Sequence, residues 1–212
     1  MIKKFVKVWF MAFLLAGCSS TYLRDSSNVS NIKKKYDKIL VVAHTKDKIA
    51  RIRAEGMVVN ELEIRGVKAE SSVDVIKTER FSEEMTDNEI ETLISELLKT
   101  GFSGIIITNV INTAEYEDVI PGSSNVGYYP PRYGRFGQYY TYYPATSWEP
   151  DRIETGVEYT VESCLYDITV AREDNLQWVG RFKLKNPSNI TEAIAKYSKE
   201  LVDTLLEQNI MP

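Results

Sequence analysis

The chain has 212 residues, with 26 lysines and arginines against 30 aspartates and glutamates, for a net charge of −4. That acidic balance excludes the basic surface with which proteins hold nucleic acid. The length suffices for one full hydrophobic core and excludes a chain of several large domains.

Met1 to Lys7 carries Lys3, Lys4 and Lys7 and no acid, and Val8 to Leu15 is apolar throughout. A basic start, a short apolar core and a small-residue cut site make a secretory signal over residues 1–17. The apolar run is far below the roughly 20 residues that span a bilayer. Leu15-Ala16-Gly17-Cys18 closes it and resembles the lipobox of bacterial lipoproteins. The resemblance implies cleavage between Gly17 and Cys18, diacylglycerol on the Cys18 sulfur and an acylated (palmitate-type) amine, so the membrane is a partner through lipid. Two or three acyl chains anchor stably where one does not. Ser19 and Ser20 place no acid after the cysteine, which, by resemblance to sorting in two-membrane bacteria, implies the outer membrane with a periplasmic domain. Cleavage leaves 195 residues with 23 basic and 30 acidic side chains, a net charge of −7. It also leaves Cys164 as the one free thiol, so an intramolecular disulfide is excluded, and its apolar-rich strand predicts a buried, inert thiol.

Residues 18–36 read as the lipidated cysteine and a polar, flexible tether; residues 37–212 follow as a single domain. Ile39 to Ala43 is a continuous apolar run and predicts the first buried strand. From Asp47 to Arg65, Ile49, Ile52, Val59 and Leu62 fall on one helical face, with Arg51, Arg53, Glu61 and Glu63 mostly off it. Val67 to Ile76 predicts a second strand. Thr86 with Glu89 forms a capping box, Ile90, Leu93, Ile94, Leu97 and Leu98 continue at helical spacing, and Gly101 stops the helix. Gly104 to Ile111 is the third strand.

After a long insertion at about 112–152, Val157, Tyr159 and Val161 alternate with polar residues. The apolar phase then moves to Cys164, Tyr166, Ile168 and Val170, which predicts a bulge or bend near Glu162 to Cys164. Glu173-Asp174-Asn175 makes a turn, and Trp178, Phe182 and Leu184 mark the partner strand of a hairpin. Asn189 starts a last helix with the stripe Ile190, Ile194, Tyr197, Leu201 and Leu205. The order β-α-β-α-β, long loop, β-β-α predicts an α/β (α+β) fold, a mixed sheet in two or three layers with helices packed on it and right-handed crossovers.

The early strand, helix and strand, the hairpin from Leu165-Tyr166-Asp167 to Leu176-Gln177-Trp178, and the closing helix resemble uncharacterised lipoproteins of the DUF4136 type. More loosely they are similar to the α/β domains of the curli-secretion lipoprotein and the TolB N-terminal domain. In such proteins an aspartate before the hairpin and a tryptophan after it recur, as Asp167 and Trp178 stand here. The resemblance implies a fold and an envelope setting, and carries no catalytic residue.

Signatures of chemistry are absent from the sequence. His44 is the sole histidine, so a zinc site of usual composition is not available and no metal or cofactor is expected. No Gly-x-Ser-x-Gly elbow presents a serine; Gly101-Phe102-Ser103-Gly104 fails the spacing. Neither phosphate-binding glycine motif occurs. Carboxylates flank the insertion at Glu115, Glu117, Asp118 and Glu149, the composition a glycan hydrolase of the paired-acid kind would need.

The insertion exceeds the roughly 12 to 15 residues of an ordinary structureless connection. Between Val119 and Trp148 it has no acid, and its two charges are Arg132 and Arg135. Tyr128, Tyr129, Tyr133, Phe136, Tyr139, Tyr140, Tyr142, Tyr143 and Trp148 surround them. Tyrosine and arginine concentrate binding energy at interfaces, and tyrosine does so at low entropic cost. One reading is a low-complexity insertion folded back on the sheet; another is a binding surface for an envelope protein, a glycan or a lipid headgroup. Pro130, Pro131 and Pro144 weigh against a membrane-crossing hairpin. The leading expectation is a non-enzymatic envelope lipoprotein offering this loop to a partner. A homo-oligomeric assembly or secretion component is the alternative from another class, and a glycan hydrolase the third.

Overall fold

The computed structural model describes residues 21–45, 47–76, 85–122, 150–185 and 189–211. Among the described residues, six strands and four α-helices occur in the order β1 (Leu23–Asn28), β2 (Ile39–His44), α1 (Lys48–Ile64), β3 (Ala69–Ser71), α2 (Ser72–Val75), α3 (Asp87–Lys99), β4 (Gly104–Ile120), β5 (Arg152–Asp167), β6 (Leu176–Lys185) and α4 (Ile190–Glu207). The sheet order is β1-β6-β5-β4-β2-β3. β2 runs parallel to both β3 and β4, while β1 is antiparallel to β6. The mixed α/β sheet with packed helices is the one the sequence predicts.

The described residues fall into two compact units, Thr113–Glu158 and the remainder. In the larger unit, β2 sends its side chains to both faces, as its unbroken apolar run requires. Ile39 and Val41 join Val58 and Leu62 of α1 and Tyr197, Leu201 and Leu205 of α4 in one core. Leu40 and Val42 join Leu97 of α3, Phe102 and Ile168 in a second core on the opposite face. Three layers therefore meet at β2. Trp178 and Phe182 are fully buried in the first core, and the Phe182 ring meets that of Tyr197 edge-on at 5.0 Å.

Five expectations need correction. Leu23–Asn28, read as part of a tether, is an edge strand paired with Phe182 to Trp178; edge pairing uses backbone groups, which polar side chains do not disclose. The second strand is short, because Ser71 accepts from the Val73 amide and caps α2 over residues expected to stay extended. α1 turns a different face inward: Ile49 and Ile52 are 63% and 55% exposed, whereas Arg51, Glu55, Val58 and Leu62 are buried. β5 keeps one alternation of burial from Val161 to Asp167, with Val161, Ser163, Leu165 and Asp167 inward. The phase change in hydropathy arises because two of those inward residues are polar, so no bulge is needed to explain it. The strands flanking the insertion are also longer than expected, β4 reaching Ile120 and β5 starting at Arg152. No described helix is long and apolar enough to cross a membrane.

Candidate functional site

Gly17, Cys18 and the loop residues Tyr128, Tyr129, Arg132, Tyr133, Arg135, Phe136, Tyr139, Tyr140, Tyr142, Tyr143 and Trp148 lie outside the described residues. The structure places the chain that leads to each of them.

The insertion is entered and left through the smaller unit. β4 and β5 are hydrogen-bonded neighbours, and the Gly122 amide donates to Asp151 Oδ1 at 2.8 Å where they end. The ribbon thus holds its two ends together at the root of the aromatic segment. Glu115, Tyr116 and Glu117 line a hollow of about 600 Å³ with Thr155, Gly156 and Val157. Glu115, Glu117 and Asp118 are exposed on the ribbon, and Glu149 lies outside the described residues.

The N-terminal approach is fixed as well. Glu200 of α4 accepts from Thr21 Oγ1 at 2.9 Å, the Tyr22 amide at 2.7 Å and the Leu23 amide at 3.1 Å. The Lys183 amide donates to the Tyr22 carbonyl at 2.8 Å, and Lys196 Nζ stands 4.3 Å from the Tyr22 ring centre. Burial, with help from Glu200 and Glu192, pushes the Tyr22 hydroxyl above its ordinary range.

The crossover from β2 to β3 packs α1 on one face of the sheet, and the crossover from β3 back to β4, on the other side of β2, packs α3 on the opposite face. The carboxyl ends of β2 and β4 are where ligands sit in open α/β sheets of this kind. There His44 Nδ1 meets Asn109 Oδ1 at 2.8 Å on the surface. Beneath it is the polar cluster that reading the sequence misses. Glu55 Oε1 accepts from the Ala43 amide (2.9 Å), Arg51 Nε (2.9 Å) and Ser72 Oγ (2.6 Å). Its Oε2 accepts from Ser71 Oγ (2.6 Å) and the Val73 amide (3.1 Å). Burial alone would raise the Glu55 carboxyl, but hydrogen bonds from Ser71, Ser72, the Ala43 amide and Arg51 hold it below the usual range. A carboxylate with every lone pair engaged is closed to substrate and braces α1 against β2 and β3. The available signal was an Arg–Glu pair four apart on a helix, followed by Ser71-Ser72.

Two further features bear on chemistry. Burial, then the nearby Glu162, pushes the half-buried Cys164 thiol up, which keeps it protonated and a poor nucleophile. A groove of about 580 Å³ runs beside α3, floored by Ile90, Ile94, Leu98, Ile168 and Val170. Among the described residues, no three His, Cys, Asp or Glu side chains gather as a metal site.

No family model matches the sequence, so the likeness to DUF4136-type lipoproteins has no family match behind it, and no curated protein matches it either. Among solved structures, a PelC dodecamer from Paraburkholderia phytofirmans is similar at 9% identity, covering 90% of this chain and 97% of that one, with a TM-score of 0.43. A point variant of that dodecamer gives 11% identity, 84% and 96% coverage and a TM-score of 0.42. A PDZ domain protein from Parabacteroides distasonis gives 12% identity and a TM-score of 0.32, with 93% of this chain covering 38% of that one. TM-scores below 0.5 fall short of a shared fold, so function has to be argued from this chain's own residues.

Proposed function

We propose that this chain is a lipid-anchored outer-membrane lipoprotein that acts without chemistry of its own, as a binding module. In this reading it offers its Tyr/Arg-rich loop to an envelope protein or glycan. The observation that carries it is the ribbon of β4 and β5, which forms a compact unit separate from the core and is tied at its far ends by Gly122 and Asp151. A plain connection between adjacent strands needs only a few residues. Here two long strands deliver a segment whose composition is that of an interface. The Leu-Ala-Gly-Cys sequence supports the anchor, and the fully engaged Glu55 and the protonated Cys164 support a non-catalytic domain.

The test is a crosslinking pull-down of the native lipoprotein from its own membranes, beside a form lacking residues 125–145. A partner captured only by the intact loop is the expected result. Identical catches from both forms would overturn the loop's role. Turnover of a cell-wall or polysaccharide substrate that is lost on replacing Glu115 or Glu117 would favour the hydrolase instead.

A further inference from the structure

The polar stretch after Cys18 reads as a long flexible spacer, but the structure leaves almost none of it free. Resting on the proposal that Cys18 carries lipid, we infer that the larger unit is docked on the membrane surface. The sheet end where β1 begins, with Thr21, Tyr22 and Lys185 at its edge, faces the lipid headgroups. Only Ser19 and Ser20 separate Cys18 from Thr21, so a fully extended chain spans about 10 Å between them. Thr21, Tyr22 and Leu23 are themselves fastened to α4 by Glu200 and to β6 through Lys183. Slack therefore cannot be borrowed from β1 without breaking those bonds. Leu23 lies opposite Phe182 in the antiparallel pair and the Tyr22 carbonyl accepts from the Lys183 amide, so β1 begins at the end of β6 that carries Leu184 and the exposed Lys185. The hairpin turn at Glu173 lies beyond the other end of β6, about 30 Å from Lys185 at the rise of a strand. An anchor with so short a reach holds one end of the sheet at the headgroups and the other well clear.

The occupant of this surface is the bilayer itself, and its position can be read by depth. The full lipoprotein carrying Cys164→Ser would take a fluorophore at Lys185→Cys or, separately, at Glu173→Cys. Each form is reconstituted in phosphatidylethanolamine and phosphatidylglycerol vesicles containing a headgroup-nitroxide lipid. The expected result is quenching severalfold stronger at position 185 than at 173. A Gly/Ser linker of about 20 residues after Ser20, with a root-mean-square reach of about 25 Å, should abolish the difference. Equal quenching at the two positions with the native spacer, on protein whose Cys18 is acylated by mass spectrometry, would overturn the docking and leave the lipoprotein reading standing. Absence of acyl groups on Cys18 of protein expressed in a two-membrane bacterium would overturn both.

Discussion

Arg51 Nε donates to Glu55 Oε1 at 2.9 Å one turn further along α1, with side chains 8% and 0% exposed. Arg51 Nη2 also reaches Ser72 Oγ at 2.8 Å, so the pair links α1 to the end of β3 while Glu55 holds the Ala43 amide of β2. Removing one partner of a buried pair costs about 3–5 kcal/mol, because the other charge is left without compensation. Glu55→Ala should therefore lower stability by about that much, a large share of the roughly 5–15 kcal/mol available to a domain. The combined Arg51→Met, Glu55→Leu change should cost less than Glu55→Ala alone. Urea midpoints of the three proteins decide this, and a double variant weaker than the single one would contradict it.

Acid should unfold the protein through its depressed carboxylates. Glu55 is held low despite burial. Asp167 is likewise held low, because hydrogen bonds from Lys34 and Thr169 outweigh its burial. A carboxyl whose folded pKa lies below its unfolded value stabilises the native state fully above the unfolded value, about 4, and loses that contribution as pH falls through the folded one. Stability should thus stay level in this respect above about pH 5 and decline below about pH 4. Asp167→Asn and Glu55→Gln should each start less stable at neutral pH and show a shallower decline. Chemical denaturation from pH 7 to pH 3 measures both slopes, and unchanged slopes in the variants would refute the assignment.

What was legible in the sequence follows from which residues do the burying. Ile39 to Ala43 announces a strand covered on both faces because every position is apolar. The α4 stripe of Ile194, Tyr197, Leu201 and Leu205 is buried as its spacing predicts, although Ile190 remains 46% exposed. The start of α3 is local and therefore readable, since Glu89 accepts from the Thr86 amide at 2.7 Å. Where polar side chains face inward, the pattern misleads: Arg51 and Glu55 displaced the expected face of α1, and Ser163 and Asp167 mimicked a change of phase in β5. The Glu200 clamp joins the two ends of the chain, which no local pattern encodes.

Gly180 should tolerate no side chain. A Cβ built there would lie 2.2 Å from Trp178 Cη2 and 2.5 Å from Cζ2, because the indole lies across the glycine two residues on. The indole is fully buried, and its Nε1 donates to Gln208 Oε1 at 2.8 Å, so it has nowhere to retreat. Overpacking of this kind costs typically about 1–3 kcal/mol. Gly180→Ala should lower the thermal midpoint by several degrees, and an unchanged midpoint would show that the ring moves freely.

Tyr197→Phe probes the hydroxyl cluster in the core. Tyr197 Oη lies 2.6 Å from Ser163 Oγ and 2.9 Å from Thr108 Oγ1, and burial pushes its pKa up to about 12. Deleting the hydroxyl leaves Ser163 and Thr108 within 3.1 Å of each other, so neither is orphaned. The loss should be near the net worth of one hydrogen bond, about 1 kcal/mol. Ser163→Val likewise leaves Tyr197 and Thr108 2.9 Å apart, so its loss of hydrogen bonding should be of similar size, about 1 kcal/mol. Equilibrium denaturation measures both, and a loss above about 3 kcal/mol in either would mean that the cluster is not wired in this way.

Glu200→Ala should loosen the start of β1 and little else. The carboxylate is the shared acceptor for the Tyr22 and Leu23 amides and for Thr21 Oγ1. Charge-assisted bonds to backbone donors are roughly twice as strong as neutral ones. The strand beyond is held independently by its pairing with β6 from Asp25 to Asn28. Its loss should accordingly appear as local opening with only a small shift in global stability, since sub-global units open below the cost of complete unfolding. Amide exchange of Tyr22 and Leu23 should accelerate by about tenfold or more, the equivalent of about 1.4 kcal/mol of local stability, while Ser26 and Ser27 exchange at nearly the parent rate. Equal acceleration along the whole strand would mean that Glu200 supports β1 as a unit; no acceleration at Tyr22 would mean that pairing with Lys183 alone holds the chain to the domain.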